Sequence, residues 1–229
     1  MKYVFQFGIV WDHLPRLLDG AWLTIRLSLG AFALGFAIAL VLAFLRTSGP
    51  RPLRAAIAAY VEIIRNTPFL VQLFIIYFSL PAIGIHLEAI TAALLGMSLN
   101  FSGYATEIIR AGIEAVPRSQ IEAGHSLGFT RFQIFRNVVV FPALRTVYPS
   151  LASQFVLLML GSSIVAAISA EELTAVTNTL QSTTFRAFEF YFVATAMYLL
   201  MALGARLLLH AIYWAVFERT RPTQQAWSR

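Results

Sequence analysis

The sequence predicts an all-α integral membrane protein with about five transmembrane helices, its N-terminus outside the cell and its C-terminus in the cytoplasm. The first observation is composition: 59% of the 229 residues are hydrophobic and 12% are charged, whereas a soluble domain of this length usually has about 25% charged residues. The second is that charge is missing from long stretches, which are residues 27–45, 66–87, 89–106, 146–170 and 190–205. The third is that arginines are concentrated in alternate connections between these stretches.

The charge-free stretches predict the membrane spans. A helix needs roughly 20 mainly apolar residues to cross the ~30 Å hydrocarbon core of a bilayer. The two shortest stretches reach this length if a flanking charge extends to the interface or faces protein. The predicted spans are, in chain order, 21–45, 57–81, 89–111, 147–170 and 189–213.

These spans form a single predicted membrane domain over residues 21–215, flanked by two short terminal segments. Residues 1–20 are predicted to be an outer interfacial lead-in. They do not resemble a cleavable signal peptide, because Lys2 is followed by mixed aromatic, acidic and proline residues without a small-residue cleavage site. Residues 216–229 are predicted to be a cytoplasmic tail.

The arginine distribution predicts the orientation of the spans. The connections at 46–56 and 110–146 and the tail are rich in arginine, and the connection near 81–89 has no Lys or Arg. The connection at 171–189 holds a single arginine against three glutamates. Connections with many Lys and Arg residues stay in the cytoplasm. The net charge of +6 therefore reflects topology, and no nucleic-acid partner is expected.

The loop 117–142, between the third and fourth spans, carries a helix-start and a helix-end signal. Ser119-Gln-Ile-Glu122 matches the capping box, in which the serine caps the helix and the glutamate binds back to the cap amide. Gly128 suits the left-handed residue just beyond a helix end. The pattern predicts a short helix over 120–127.

A second capping box, Thr130-Arg-Phe-Gln133, predicts another helix from 131 towards 140 after the glycine bend. A helix of about two turns is marginal alone in water, so the first helix needs a surface to pack on. The residues themselves leave open whether that surface belongs to this chain's own spans or to another protein.

Three blocks of the sequence resemble one family. Glu122-Ala123-Gly124, followed after three residues by Gly128 and then by an apolar run to Pro142, resembles the EAA loop. That loop marks the transmembrane subunits of binding-protein-dependent ABC importers. Residues 60–81 and 104–128 are similar to segments of the polar amino-acid permeases in the same family. Two positions depart from the pattern: a glycine is the third motif residue in place of alanine, and Phe141 stands where many members have proline.

The resemblance implies a type I importer fold in the bacterial inner membrane, which makes membrane lipid the surroundings of the chain. It also implies that the loop 117–142 is a coupling element that docks on a separate ABC ATPase subunit through Glu122, Ala123, Gly124 and Gly128. Two further partners follow from the family: a periplasmic or extracellular solute-binding protein and a second permease subunit, identical or different.

The chain lacks the residues for chemistry of its own. Its single lysine is Lys2, so it has no G-x-x-x-x-G-K-[ST] phosphate-binding loop. ATP and Mg²⁺ are therefore expected on the partner ATPase, and no cofactor on this chain. The histidines are scattered without the spacing of metal ligands or of a catalytic triad. No catalytic residue, no metal site and no enzyme activity is predicted.

Polar residues inside the spans are the predicted substrate pathway, because such groups are costly in a membrane unless they face protein or a water-filled cavity. In the fourth span, polar and small residues fall close to one helical stripe. In the second span, Pro68 removes a backbone donor and interrupts the helix. The candidates are Asn66, Thr67, Gln72, Gln154, Gly161 and Ser162.

For each of these residues the alternative role is structural. Hydrogen bonds between membrane helices contribute about 0.6 kcal/mol on average, and any one candidate has this as its simpler explanation. Two i,i+3 pairs, Glu62–Arg65 and Glu107–Arg110, are likewise predicted to be structural ion pairs.

The leading functional prediction is a permease subunit of an ATP-driven ABC importer, forming the translocation pathway for a polar amino acid. The alternative is an autonomous secondary transporter or channel for a small polar solute. The odd number of spans and the absence of an inverted repeat weigh against that alternative. A membrane scaffold without a transport role is the third possibility.

Overall fold

The computed structural model describes residues 3–218, without the side chains of Arg131 and Glu218. Every regular element in this range is a helix, which confirms the predicted all-α class. Most of the predicted tail 216–229 lies outside the described residues. The helices are α1 Gly8–Asp12, α2 Leu14–Ser48, α3 Arg51–Asn66, α4 Phe69–Ile83, α5 Ala89–Glu114, α6 Arg118–Ser126, α7 Phe132–Ile168, α8 Leu173–Thr184 and α9 Ala187–Phe217.

Helix α2 is longer than the predicted first span. It has 35 residues and carries a proline in its first turn, where the missing backbone N–H has no helical partner to lose. The last part of the predicted lead-in 1–20 is therefore helical. A Cβ on Gly35 would lie 2.6 Å from the carbonyl oxygen of Ser98, so α2 and α5 approach closely there because Gly35 has no side chain.

Helix α5 is the central element of the bundle, and it packs against α2, α3, α4 and α7. Several of its buried side chains are polar, among them Ser98, Ser102 and Thr106. Each of these hydroxyls hydrogen-bonds a carbonyl of α5 itself. A helix enclosed by other helices does not need an apolar surface, because its side chains meet protein rather than lipid.

The predicted interruption of the second span is present and is sharp. Helices α3 and α4 meet at Thr67-Pro68 and differ in direction by 108°. Pro68 is extended, with φ −61° and ψ 135°, and it cannot donate the hydrogen bond that would continue α3. The predicted span 57–81 is thus a bent pair whose first helix begins at Arg51.

Helix α7 joins two elements that the sequence analysis separated. The second helix of the loop and the fourth span form one helix, with a π-helical turn over Phe135–Val139 and a 3₁₀ end over Ser162–Ile168. Pro149 lies inside it. The loop is consequently continuous with a membrane-spanning helix.

Three of the described helices, α2, α7 and α9, are long and apolar enough to cross a membrane, and the bent pair α3–α4 makes a fourth if it counts as one span. Helix α5 is not in this set, because its polar residues lower its hydropathy. The bundle has two ends: α6 lies at one, called the loop end, and α8 lies at the other, called the far end.

The far end is fastened by two fully buried carboxylates, Glu172 and Glu189. Glu172 caps α8 by accepting a hydrogen bond from the Ala175 N–H at 3.0 Å. It also accepts one from the Tyr198 hydroxyl of α9 at 2.6 Å. Glu189 accepts hydrogen bonds from the Tyr3 hydroxyl and from the backbone N–H of Gln6. The N-terminal segment is therefore attached to the start of α9.

Candidate functional site

The start of the loop 117–142 differs from the prediction. Helix α6 starts at Arg118 with Pro117 in the cap position, and no side chain caps it. Ser119 is already inside the helix, because extended Pro117 takes the cap position two residues before the serine. Within the described part of the chain, the Glu122 carboxylate accepts no hydrogen bond. The predicted capping box Ser119–Glu122 is wrong, and Glu122 has no role in holding its own helix.

The end of α6 and the start of α7 form as predicted. Gly128 is left-handed with φ +76°, its N–H donates to His125 O at 2.9 Å, and the Phe129 N–H donates to Gly124 O at 3.1 Å. These two bonds make a Schellman motif. The second capping box is also present, since the Thr130 N–H donates to Gln133 Oε1 at 2.8 Å and the Gln133 N–H to Thr130 Oγ1 at 3.3 Å.

The four predicted coupling residues divide into two groups. Gly124 is buried, and a Cβ there would lie 3.0 Å from Cγ1 of Ile134 on α7, so it allows α6 to pack on the start of α7. Gly128 shapes the bend. Glu122 and Ala123 are exposed and are available to another protein.

Two apolar side chains beside these residues were missed by the sequence analysis. Leu127 is 72% exposed and Phe132 is 70% exposed, both next to the bend at Gly128. Their position on either side of a left-handed glycine was the available signal. A large apolar side chain left this exposed at a loop tip is suited to contact with a partner.

A cavity of about 250 Å³ lies where α4, α5 and α7 meet. Gln154 and Gly161 of α7, both predicted, are on its wall, together with Asn100 and Tyr104 of α5. Asn100 and Tyr104 were missed because α5 was read only as a span. The rest of the lining is apolar, and Phe69 contributes the start of α4. This space is called the central cavity.

Gln72 does not line the central cavity but holds the break between α3 and α4. Its Nε2 donates to the carbonyl oxygens of Ile64 at 2.8 Å and Thr67 at 3.1 Å. Its Oε1 accepts a hydrogen bond from Asn100 Nδ2 at 3.0 Å. The carbonyls freed by Pro68 are thus occupied by Gln72. The side-chain amide of Gln72 therefore connects α3 and α4 to Asn100 on the wall of the central cavity.

The other predicted pathway residues lie beside or away from the cavity. Asn66 and Thr67 are exposed at the break, and each side chain bonds back to the preceding turn of α3. Ser162 is fully buried and donates to Met159 O at 2.7 Å. It does not line the central cavity, because Gly161 faces the cavity and the next residue of a helix points about 100° away.

A second cavity of about 360 Å³ continues from the first towards the loop end. Tyr104 lines both. The second cavity also has Arg65, Glu107, Thr146 and Ser150 on its wall and is called the loop-side cavity. Polar groups therefore follow one face of α5 and α7 from the break in α3–α4 towards α6.

Glu107 belongs to an ion network rather than to a single pair. The predicted Glu107–Arg110 pair is present, Arg46 of α2 lies 2.5 Å from Glu107, and Arg110 also lies 2.5 Å from Glu114. The predicted Glu62–Arg65 pair is absent, because the Glu62 carboxylate accepts a hydrogen bond from Asn66 instead. Among the described side chains, Arg65 contacts no carboxylate within ion-pair distance.

No group of three or more His, Cys, Asp or Glu side chains in the described residues could hold a metal ion. The arrangement offers amides, hydroxyls, an aromatic ring and a cation along a continuous face. It is suited to hold and pass a small polar molecule.

Long apolar helices, a broken helix and a polar face that runs to a capped loop define a helical membrane transport protein. Residues 34–221 match the model of the family described as "binding-protein-dependent transport system inner membrane component". The chain belongs to this family, and it is a permease of the amino-acid ABC importer class.

Named relatives agree with this assignment. The chain is 39% identical to the L-cystine transport system permease protein TcyB of Bacillus subtilis, with 72% of this chain and 73% of that protein covered. It is 30% identical to the glutamine transport system permease protein GlnP of Escherichia coli K12, with 91% and 96% covered. A crystal structure of an amino acid ABC transporter with histidines matches at a TM-score of 0.87 and 34% identity, covering 93% of this chain and 100% of that one.

Proposed function

We propose that this permease conducts a polar amino acid across the bacterial inner membrane through the central and loop-side cavities. The observation that carries the proposal is the central cavity, where Asn100, Tyr104 and Gln154 face one space beside the broken α3–α4 pair. In the described residues Gln154 makes no side-chain hydrogen bond within the protein. Its amide is therefore free to donate to and accept from a bound solute.

The chemistry of the central cavity is suited to an amino acid. Amides and a phenol can pair with both the ammonium and the carboxylate of a zwitterion. Helix α4 begins at Phe69 on the cavity wall, and the positive end of a helix dipole favours a nearby carboxylate. Broken helices that direct their N-termini at anionic substrate groups are a recurring device in transporters.

Coupling to ATP hydrolysis is assigned to the loop 117–142. Glu122 and Ala123, with Leu127 and Phe132 beside them, form an exposed face for a separate ATPase subunit, which holds ATP and Mg²⁺. Helix α6 is joined to α7 by the Schellman motif, the second capping box and the contact of Gly124 with Ile134. A movement of α6 is therefore transmitted to α7, the helix that carries Gln154.

The proposed topology has five spans: α2, the bent pair α3–α4, α5, α7 and α9. Helix α5 counts as a span because its polar residues face protein. The loop end lies in the cytoplasm and the far end outside, so the N-terminus is outside and the C-terminus inside. The domain 21–215 works with a second permease subunit, identical or different, and receives its amino acid from a solute-binding protein. The chain itself is not an enzyme.

The test is uptake by proteoliposomes that contain this chain with its ATPase and solute-binding protein. We expect uptake of a radiolabelled amino acid to require ATP and both partners. Vesicles holding only this chain should show no counterflow. Counterflow without the ATPase would instead support an autonomous transporter. If none of the amino acids stimulates ATP hydrolysis, the proposal is contradicted.

A further inference from the structure

Arg65 is a cation on the wall of the loop-side cavity that neither the fold nor the proposed coupling uses. It occupies the last turn of α3, directly before the break. Its guanidinium carbon lies 5.8 Å from the centre of the Tyr104 ring. Tyr104 lines both cavities, and its hydroxyl donates to Arg65 O at 3.4 Å. Arg65 therefore lies where the two cavities meet.

The other charges near Arg65 already have partners. Glu107, the carboxylate on the same cavity wall, contacts Arg46 and Arg110, and Arg110 also contacts Glu114. These four side chains balance one another, two cations against two anions. Glu62, one turn before Arg65, accepts from Asn66. Of the charged side chains on the wall of the loop-side cavity, Arg65 is thus the one that has no ion-pair partner among the described residues.

A positive charge within membrane-spanning protein is costly unless it is paired or meets water. Arg65 is exposed and lines the loop-side cavity of about 360 Å³; through Tyr104 it adjoins the central cavity of about 250 Å³, and both are large enough for a small solute. The guanidinium fork matches a carboxylate in a bidentate manner. The wall carboxylate, Glu107, is already paired with two arginines. The α-carboxylate of an amino acid is therefore the group that Arg65 would pair with.

We propose that Arg65, positioned by the Tyr104 ring, binds the α-carboxylate of the transported amino acid as it moves between the central and loop-side cavities. This inference rests on the proposed function. Because the α-carboxylate is common to all amino acids, Arg65 selects for the class of substrate and leaves the choice of side chain to Asn100 and Gln154. The expected ligand is a zwitterion with a free carboxylate, and its α-carboxamide is a poor one.

The experiment measures binding to the purified permease–ATPase complex without the solute-binding protein, so that the soluble protein's own preference plays no part. Radiolabelled L-glutamine and L-cystine serve as probes. Competition with each amino acid, its α-carboxamide and its decarboxylated amine gives the preference for the carboxylate. We expect the wild type to prefer the amino acid by at least tenfold, a difference that corresponds to about 1.4 kcal/mol.

Arg65→Gln should bind the amino acid at least tenfold more weakly and lose the preference over the carboxamide. Arg65→Lys, which keeps the charge but loses the fork, should retain part of it. Arg54→Gln, which removes an exposed arginine from the same helix, is the matched control and should behave as the wild type. Thermal unfolding of all variants reports whether a structural role of Arg65 explains a loss.

The possible failures are distinct. If Arg65→Gln binds the probe with the wild-type preference for the carboxylate, the role of Arg65 is wrong and the proposed function stands. If Arg65→Gln keeps the preference for the carboxylate but unfolds at a lower temperature, the role of Arg65 is structural and limited to stabilising Tyr104 and α3. If the wild-type complex binds no amino acid and imports none, the proposed function fails with it.

Discussion

Two glutamines in the second and fourth spans look alike in the sequence and differ in the structure. Gln72 joins the ends of the broken helix to Asn100, whereas Gln154 faces the central cavity without an internal partner. We expect Gln72→Leu to lower stability by about 1–3 kcal/mol, because the Ile64 and Thr67 carbonyls lose their donor. Gln154→Leu should leave stability nearly unchanged and reduce transport.

The two variants are each other's control, since the chemical change is the same. Thermal unfolding in detergent and uptake in proteoliposomes are measured on both. Equal unfolding temperatures would mean that Gln72 does not stabilise the break. A loss of stability in Gln154→Leu alone would mean that the two roles have been assigned the wrong way round.

Glu172 predicts a pH dependence at the far end. Burial raises the pKa of this carboxyl above its usual value near 4.5, and hydrogen bonds from Tyr198 and from the start of α8 only partly oppose the effect. A raised pKa in the folded state means that folding favours the protonated form. The stability contributed by that form is present below the usual pKa and is lost as the pH rises through the folded-state pKa.

We therefore compare the unfolding temperature of Glu172→Gln, which cannot ionise, with that of the wild type. The difference in favour of the variant should be largest near pH 7 and should shrink as the pH falls towards 4.5. Each kcal/mol corresponds to about 2–4 °C for a chain of this size. A difference that is constant with pH would mean that ionisation of Glu172 is not a cost to the fold.

At the scale of the element, α6 depends on one backbone conformation. A Cβ on Gly128 would meet nothing within 4 Å, and φ is +76°, so a substitution is strained by its backbone alone. Gly128→Val should cost about 1–2 kcal/mol locally and should uncouple uptake from ATP hydrolysis or release the ATPase. Asparagine tolerates positive φ, so Gly128→Asn is the matched control and should remain coupled.

The measurement is co-purification with the ATPase, followed by substrate-stimulated ATP hydrolysis in proteoliposomes. Membrane insertion should be normal for both variants. Normal stimulation and normal uptake in Gly128→Val would mean that this loop does not couple the two subunits.

The elements show what the sequence can and cannot predict. Thr130–Gln133 and Gly128 were predictable because a capping box and a left-handed glycine act over three or four residues. Ser119–Glu122 has the same pattern but fails, because the helix starts directly after the extended Pro117, two residues earlier than a Ser119 cap requires. Ser162 lies away from the cavity because its neighbour Gly161 faces it, and adjacent residues of a helix point about 100° apart.

The wall residues Asn100 and Tyr104 show a further limit. Their side chains meet Gln72 and Arg65, which lie 28 and 39 positions earlier in the chain. Only the packing of α3 and α4 on α5 brings these residues together, and spacing along one helix does not contain that information. The break at Pro68, in contrast, follows from one residue and was predictable.

At the scale of the whole molecule, the proposed topology can be tested by accessibility. The chain contains no cysteine, so single cysteines can be placed at Ser48, Ser126 and Ser182, all of which are exposed. Ser48 and Ser126 lie at the loop end and should be labelled only from the cytoplasm. Ser182 lies at the far end and should be labelled only from outside. Opposite labelling of Ser48 and Ser126 would rule out the five-span model.

The central claim is that the amino acid passes along the α5–α7 face. Neighbouring residues of α7 offer the most direct test, because Gln154 lines the central cavity whereas Ser153 lines a different one, between α7 and α9. Gln154→Cys and Ser153→Cys are each treated with a methanethiosulfonate reagent in the assembled importer. We expect modification of Gln154→Cys to block uptake, the transported amino acid to protect this cysteine from modification, and Ser153→Cys to show neither effect. Protection at Ser153→Cys, or unchanged uptake after complete modification of Gln154→Cys, would contradict it.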